Sequence, residues 1–133
     1  MKRFLLGMAV VGFAAAPLAC DNPFSPEQSL RLGVTGLDAP AAIAAGSPLT
    51  VTLTVQTGGC LRFDHFEVER RVSSATVTVW GEDGARGKPG MACTADIRHE
   101  LHSYTFDPPF QSSFTVSVDR GGLSPLIAVV QVQ

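Results

Sequence analysis

The chain has little positive charge and no cluster of it. Its 133 residues include 10 Lys and Arg against 12 Asp and Glu, for a net charge of −2. Apart from the adjacent Arg70 and Arg71, the basic residues are scattered, and acidic residues such as Glu67 and Glu69 lie nearby in the sequence. A nucleic-acid-binding domain concentrates Lys and Arg on one surface. The composition therefore predicts a partner other than nucleic acid.

Sequence motifs of enzyme chemistry are missing as well. No G-x-S-x-G sequence marks a nucleophilic serine. The glycine-rich stretch GEDGARGKPG, residues 81–90, lacks the Lys followed by Ser or Thr that a phosphate-binding P-loop requires. No segment combines helical periodicity with capping residues over the length of a stable helix. The sequence predicts a protein that is not an enzyme and that needs no cofactor.

A short apolar leader opens the sequence. Lys2 and Arg3 precede an uncharged run from Phe4 to Ala16, which is 13 residues long. This is the layout of a secretory signal peptide. A helix that spans a bilayer needs about 20 apolar residues, and Pro17 and Asp21 end the run before that length. We therefore predict that the chain is exported.

The sequence offers two sites for removal of this leader. Cleavage after Ala16 satisfies the small-residue rule of signal peptidase, but it leaves Pro17 as a disfavoured first residue. The segment PLAC, which ends at Cys20, resembles the lipobox of bacterial lipoproteins, with Ala19 as the small residue before the cysteine and Pro17 where that family usually has Leu. The resemblance implies cleavage before Cys20, a diacylglycerol on its sulfur, and a lipid anchor at the bacterial cell membrane or envelope.

This interpretation divides the chain into three parts: a signal peptide over residues 1–19, a lipid-anchored tether over residues 20–28, and one folded domain over residues 29–133. The tether, CDNPFSPEQ, has two prolines and few apolar side chains, which is typical of an extended linker. The remaining length suits a single domain with one hydrophobic core.

The chain has three cysteines, Cys20, Cys60 and Cys93. An exported domain seldom keeps an unpaired thiol without a role for it. Lipidation of Cys20 removes the odd cysteine and leaves Cys60 and Cys93 in a compartment where disulfides persist. We therefore expect these two to form a disulfide, the alternative being two free buried thiols.

Alternation of apolar and polar residues dominates residues 29–133. From Leu49 to Val55, in LTVTLTV, every second residue is Leu or Val and the others are Thr, which is the pattern of a strand with one buried face. Further runs, separated by Gly or Pro turns, begin near Leu30, Cys60, Ala75, Asp96, Ser113 and Leu126. About seven such strands predict an all-β fold, an antiparallel β-sandwich. Trp80 is expected in its core.

The segment APAAIAAGSPLTVTLTVQTGG, residues 39–59, contains a proline-led edge strand, a glycine turn and an alternating strand in succession. In this order it resembles the opening of bacterial immunoglobulin-like domains. The resemblance implies an immunoglobulin-like β-sandwich and no ligand.

We expect a binding surface in the glycine-rich loop that follows Trp80. Its charged residues are Glu82, Asp83, Arg86 and Lys88. Loops held on a rigid β-sandwich often carry recognition, and an envelope protein or a carbohydrate is the expected ligand. The predicted function is that of a non-enzymatic structural or ligand-binding module at the cell envelope.

A small exported metalloprotein is the alternative function. Met91, Cys93, His99 and His102 lie within 12 residues, with His65 upstream, and such side chains bind copper or zinc. On a strand, residues three apart project to opposite faces, so His99 and His102 are not expected to share one ion. A copper site would also need Cys93 as a free thiolate. This alternative predicts at least one free thiol, whereas the anchored module predicts none.

Overall fold

The computed structural model describes residues 29–133, so the predicted signal peptide and tether lie outside the described residues. The described part contains nine strands and no helix, and therefore none long and apolar enough to cross a membrane. The strands are β1 (Leu30–Arg31), β2 (Val34–Asp38), β3 (Ala42–Ile43), β4 (Leu49–Thr57), β5 (Leu61–Arg70), β6 (Ser74–Asp83), β7 (Arg98–Phe106), β8 (Ser113–Arg120) and β9 (Leu123–Val132).

The strands form two sheets, and this confirms the predicted all-β sandwich. In the larger sheet, β5 pairs with one edge of β6, and both β8 and the short β1 pair with its other edge. Beyond β8, β9 pairs with β8 and β3 pairs with β9. The smaller sheet has the order β2-β4-β7. Most pairs are antiparallel, but β6–β8 and β3–β9 are parallel. Because β1 and β3 have only two residues each, seven longer strands remain, as the sequence predicts.

The core consists of the inward-facing residues of these alternating strands. Every second residue of β4, from Leu49 to Val55, is fully buried. Facing residues of the larger sheet complete the core, including Ala75, Val77, Val79, Phe114, Val116 and Val118. Each fully buried side chain of this kind contributes about 1.5–3 kcal/mol of transfer free energy, and the alternation that the sequence shows is therefore what fixes the two sheets against each other.

Trp80 lies outside the core, so the expectation that it is buried there is wrong. Since Val77 and Val79 point inward on β6, Trp80 projects to the outer face. Its ring is half-buried there, its Nε1 donates a hydrogen bond of 2.6 Å to Glu67 Oε2, and the Arg31 guanidinium lies 5.6 Å from the ring centroid. The polar edge of the indole is thus satisfied by a neighbouring strand.

The strand register places the connections of the chain at two ends of the sandwich. Leu30 pairs with Gly81 near the end of β6, and Thr57 pairs with Arg98 at the start of β7. One end carries the start of β1, the turn 58–60, the connection 84–97 and the turn 121–122. We call it the upper end. Both the turn 58–60 and the connection 84–97 cross from one sheet to the other there.

Arg70 lies at the opposite, lower end, where it lines an open cleft of about 580 Å³. Its guanidinium donates hydrogen bonds to the backbone carbonyls of Asp107 and Pro109 and lies 5.0 Å from the Phe110 ring and 5.6 Å from the Phe114 ring. A cation held by carbonyls and aromatic faces covers the apolar side chains at that end. The two ends of the sandwich therefore differ in chemistry.

Two leucines of the same sheet test this division between core and surface. Leu53 on β4 is fully buried and Leu101 on β7 is 72% exposed. We expect Leu53→Ala to lower the free energy of unfolding by about 2–5 kcal/mol, through lost burial and the cavity left behind, and Leu101→Ala to lower it by less than about 1 kcal/mol. Urea unfolding measures both. Equal losses would contradict the placement of the core.

Candidate functional site

The two connections that cross between the sheets are joined by a disulfide at the upper end. Cys60 in the turn 58–60 and Cys93 in the connection 84–97 are bonded, with their Cα atoms 5.2 Å apart. This confirms the predicted pair. The backbone N–H of Gly84 also donates to the Cys60 carbonyl at 2.9 Å. The long connection is therefore fastened to the turn at two points, one of them covalent.

Close backbone approach explains the glycine pair of this turn. A Cβ at Gly58 would lie 2.2 Å from the carbonyl oxygen of Asp96, and one at Gly59 would lie 2.8 Å from that of Thr94. Both glycines also have positive φ, 119° and 61°, a conformation that other residues rarely adopt. The backbone of the segment 94–96 can therefore pack directly against the backbone of the turn only because both positions are glycine.

The Asp96 carboxylate organises that contact. It accepts hydrogen bonds from the Thr94 hydroxyl and from the Gly59 N–H, and its Oδ2 lies 2.6 Å from Arg98 Nε. These donors, the Thr94 hydroxyl first and Arg98 next, hold the pKa of Asp96 well below its ordinary value. The ionised carboxylate thus links the turn, the connection and the first residue of β7.

An open cleft lies beside this contact, between the edge strands β5 and β7. Its volume is about 470 Å³, within the range of small-molecule sites. We call it the upper cleft; its lining residues are Thr57, Gly58, Gly59, Leu61, Arg62, Phe63, Arg98, Glu100 and His102. The lining mixes a carboxylate, an imidazole, a hydroxyl and guanidinium groups, so the cleft can both donate and accept hydrogen bonds.

Two inward-facing residues of β7 form its polar wall. The His102 ring stacks on Phe63 with 3.9 Å between ring centroids, and its Nε2 lies 3.2 Å from Glu100 Oε2. The pKa of Glu100 is lowered, first by the Thr57 hydroxyl beside it and second by His102. Stacking and the carboxylate together fix the orientation of the imidazole.

Thr57 supplies a buried polar atom at the inner end of the cleft. The residue is 5% exposed, and its Oγ1 makes no hydrogen bond of good geometry with any residue of the range 29–133, Glu100 included. Buried hydroxyls are nearly always hydrogen-bonded. The Glu100 carboxylate is the nearest acceptor, and a polar ligand could reach the hydroxyl only if the wall of the cleft shifted, so Thr57 marks the cleft as a candidate site and does not by itself show binding.

The sequence did not single out Thr57, Phe63 or Glu100. A signal for Glu100 was present, because alternation along β7 puts Glu100 and His102 on the same face as the buried Phe106. Which carboxylate and imidazole would meet an aromatic ring from the other sheet depends on the packing of β5 against β7, and one strand's pattern does not contain that information.

The predicted binding loop lies at the same end. Glu82 and Asp83 close β6 and are half-buried, whereas Arg86 and Lys88 are exposed in the connection 84–97. Asp83 Oδ1 accepts a hydrogen bond of 3.0 Å from the Ala85 N–H, which starts the turn. The structure therefore places the four predicted residues at the upper end, with the basic pair outermost.

The residues of the alternative metal site do not meet. His99 is exposed on the outer face of β7 with its Nε2 3.5 Å from Gln56 Nε2, while His102 faces inward, which confirms that the two histidines project to opposite faces. Cys93 is in the disulfide, and His65 hydrogen-bonds to Asp64.

Within residues 29–133, one group of three metal-ligating side chains lies close together: Cys60, Asp83 and Cys93, with ligand atoms within 4.8 Å of one another. Because its two sulfurs are bonded to each other, neither is a thiolate that could hold an ion. The cluster is the junction of the disulfide with β6.

Comparison with known proteins finds nothing similar: no protein-family model, no curated protein and no solved structure matches this chain. The resemblances to a lipobox and to immunoglobulin-like domains therefore stay predictions. The function has to be argued from the cysteines, the upper cleft and the surface of the domain.

The Asp96 contact predicts how stability depends on pH. A carboxylate with a lowered pKa in the folded state stabilises the fold above its unfolded pKa of about 3.9, and this contribution is lost as the pH falls further. We expect Asp96→Asn to lower the urea midpoint at neutral pH, and the difference from the wild type to shrink below about pH 4. The control is Asp38→Asn, at an exposed position on β2, for which we expect a smaller effect at neutral pH. A pH-independent difference for Asp96→Asn would contradict the role of its charge.

Proposed function

We propose that this protein is a lipid-anchored, non-enzymatic binding module exported to the bacterial cell envelope. The observation that carries the proposal is that two of the three cysteines are paired and one remains. With Cys60 and Cys93 joined, Cys20 is the remaining cysteine, and it follows a short apolar leader. Acylation gives that sulfur a role, which an exported domain otherwise lacks for an odd thiol.

The disulfide supports export independently of the leader. Disulfides form and persist in secreted and periplasmic proteins and are rare in the cytosol. Cys60 and Cys93 are 33 positions apart, and a loop of that length stabilises the folded state by about 3–4 kcal/mol on the chain-entropy model. For a small domain, whose total stability is about 5–15 kcal/mol, a bond of this size matters only where it stays oxidised.

The lipoprotein resemblance implies acylation strong enough to hold the domain at a membrane. A single acyl chain binds a bilayer only marginally, whereas two or more hold a protein stably. The diacylglycerol implied for Cys20 has two acyl chains and meets that requirement. On this proposal the domain stays at the membrane surface and acts by binding.

The upper cleft is the proposed ligand site, and a carbohydrate is the proposed ligand. Its volume of about 470 Å³ suits a small ligand or a few sugar residues better than a protein surface. Hydroxyl groups of a sugar donate and accept hydrogen bonds, which matches a wall that contains both Glu100 and Thr57. If the wall of the cleft shifts on binding, a sugar hydroxyl would also reach the buried Thr57 oxygen.

Mass measurement tests the anchor. Protein extracted from its native membrane should start at Cys20 with acyl groups attached, and reduction should add the mass of two hydrogens for the Cys60–Cys93 bond. The Cys20→Ser variant should lose the acyl mass and leave the membrane fraction. A native product that starts at Pro17, or that carries no acyl group, would refute the anchored module.

Two substitutions of threonine on the same strand test the cleft. We expect soluble peptidoglycan fragments to bind the wild type, and Thr57→Val to weaken this binding by about tenfold or more, equivalent to about 1.4 kcal/mol. Because Thr57→Val removes an unsatisfied buried hydroxyl, it should leave the free energy of unfolding unchanged or higher. Isothermal titration and urea unfolding measure the two effects.

The matched control is Thr54→Val, which removes a hydroxyl from the outer face of β4. It should leave binding unchanged, whereas Glu100→Gln in the cleft should weaken it. The cleft proposal fails if the fragments do not bind, or if Thr54→Val and Thr57→Val behave alike.

A further inference from the structure

Half of the large apolar side chains exposed within residues 29–133 lie at the upper end of the sandwich. Of the eight large apolar side chains exposed within residues 29–133, four lie there, on the start of β5, on the connection 84–97 and on the start of β9. We call this set the apolar tip: Leu61, Met91, Ile97 and Leu123. Ile97 and Leu123 are 71% and 64% exposed, so they contribute little to the core.

The chain enters the sandwich at this same end. Leu30, the first strand residue, pairs with Gly81 near the top of β6. Cys20 lies ten positions earlier, and ten residues span at most about 35 Å even when fully extended. The longest strands have ten residues, so the sandwich itself is about 33 Å high. An anchor on Cys20 therefore holds the upper end near the bilayer, and the lower end reaches it only if the whole tether runs along the domain.

Charges at the upper end are compatible with an anionic lipid surface. Asp96 and Asp119 are ion-paired, with Arg98 at 2.6 Å and with Arg31 at 3.0 Å. Lys88 stands exposed on the connection 84–97. Bacterial lipids carry net negative charge, which attracts basic side chains near the surface. Two acids of this end are thus paired with arginines, Glu82 and Asp83 are half-buried at the end of β6, and an exposed lysine accompanies the apolar tip.

From these observations we infer that the apolar tip inserts into the surface of the bilayer that carries the acyl anchor. The inference rests on the proposed function, because the anchor on Cys20 supplies the bilayer and the short distance to it. Tethering makes insertion an intramolecular event with a high effective concentration. Apolar side chains at the boundary of headgroups and acyl chains then fix the orientation of the domain, with the upper end down.

Tryptophan reporters test the orientation. Ile97→Trp and Leu123→Trp are compared with Val72→Trp, an exposed position at the lower end, each in the acylated full-length mature protein reconstituted in vesicles of phosphatidylethanolamine and phosphatidylglycerol. Trp80 gives the same background in all three. Because tryptophan at the interface is accessible to quenchers in the lipid, we expect brominated lipid to quench the two tip reporters at least about twofold more than the Val72 reporter. Equal quenching at all three positions overturns the inference.

A second comparison tests whether the apolar side chains cause the insertion. With Met91→Trp as the reporter, Ile97→Asp combined with Leu123→Asp should abolish quenching by brominated lipid. The matched pair, Ile127→Asp with Val129→Asp, removes equally exposed apolar groups from the outer face of β9 and should leave the quenching intact. Loss of quenching in both pairs, or in neither, overturns the inference.

The other occupant of the tip would be a second copy of the chain. If sedimentation of the Cys20→Ser protein shows a dimer that Ile97→Asp with Leu123→Asp dissociates, the tip is a protein interface and the inference is overturned. Failure of the anchor is a separate result. If native protein carries no acyl group, the proposed function fails, and quenching of the tip reporters by vesicles added to the free chain still supports insertion.

Discussion

The disulfide between Cys60 and Cys93 is the constraint on which the upper end of the molecule depends. It joins the two connections that cross between the sheets, and the contact of Asp96 with Gly59 and Arg98 continues the same junction. Without the bond, the connection 84–97 would be held by a few backbone hydrogen bonds and one exposed carboxylate. The position of Ile97 follows from this junction, whereas Glu100 and His102 in the wall of the upper cleft are placed by the pairing of β7 with β4. The site therefore keeps this geometry only while the disulfide stays oxidised.

The two ends of the sandwich differ in how the edge of the core is covered. A two-layer sandwich leaves its core open wherever the sheets diverge, and the exposed atoms there must meet water, a cation or a ligand. At the lower end Arg70 covers the aromatic rings with its guanidinium and satisfies itself on backbone carbonyls. At the upper end the polar wall of Glu100 and His102 stays open beside the buried hydroxyl of Thr57. Within residues 29–133 the upper cleft thus combines an open polar wall with a buried hydroxyl, and this is why we place the proposed ligand site there.

Much of this fold could be predicted from the sequence because the alternation is strict. In β4 the Leu and Val residues are buried and the intervening residues are not, and the parity of the cysteines gave the disulfide. The same alternation in ATVTVW puts Trp80 on the outer face with Thr76 and Thr78, as the structure shows. The expectation of a buried Trp80 rested on the general character of the indole and not on this pattern. Parallel pairing of β6 with β8 and the stacking of His102 on Phe63 join residues distant in sequence. The periodicity of a single segment does not contain information about such contacts.

The position of the anchor and the position of the cleft constrain each other. Since β1 enters at the upper end, the proposed anchor on Cys20 would bring the upper cleft, the connection 84–97 and the bilayer together. A ligand that reaches the cleft in a docked domain must then be present near the headgroups, which favours a sugar carried at the membrane surface over one free in solution. Docking also removes a rotational freedom that a tether alone would leave, so the domain would meet such a ligand already oriented. On the proposed anchoring, the end of the domain that is held at the membrane surface is also the end that can recognise that surface at the lowest entropic cost.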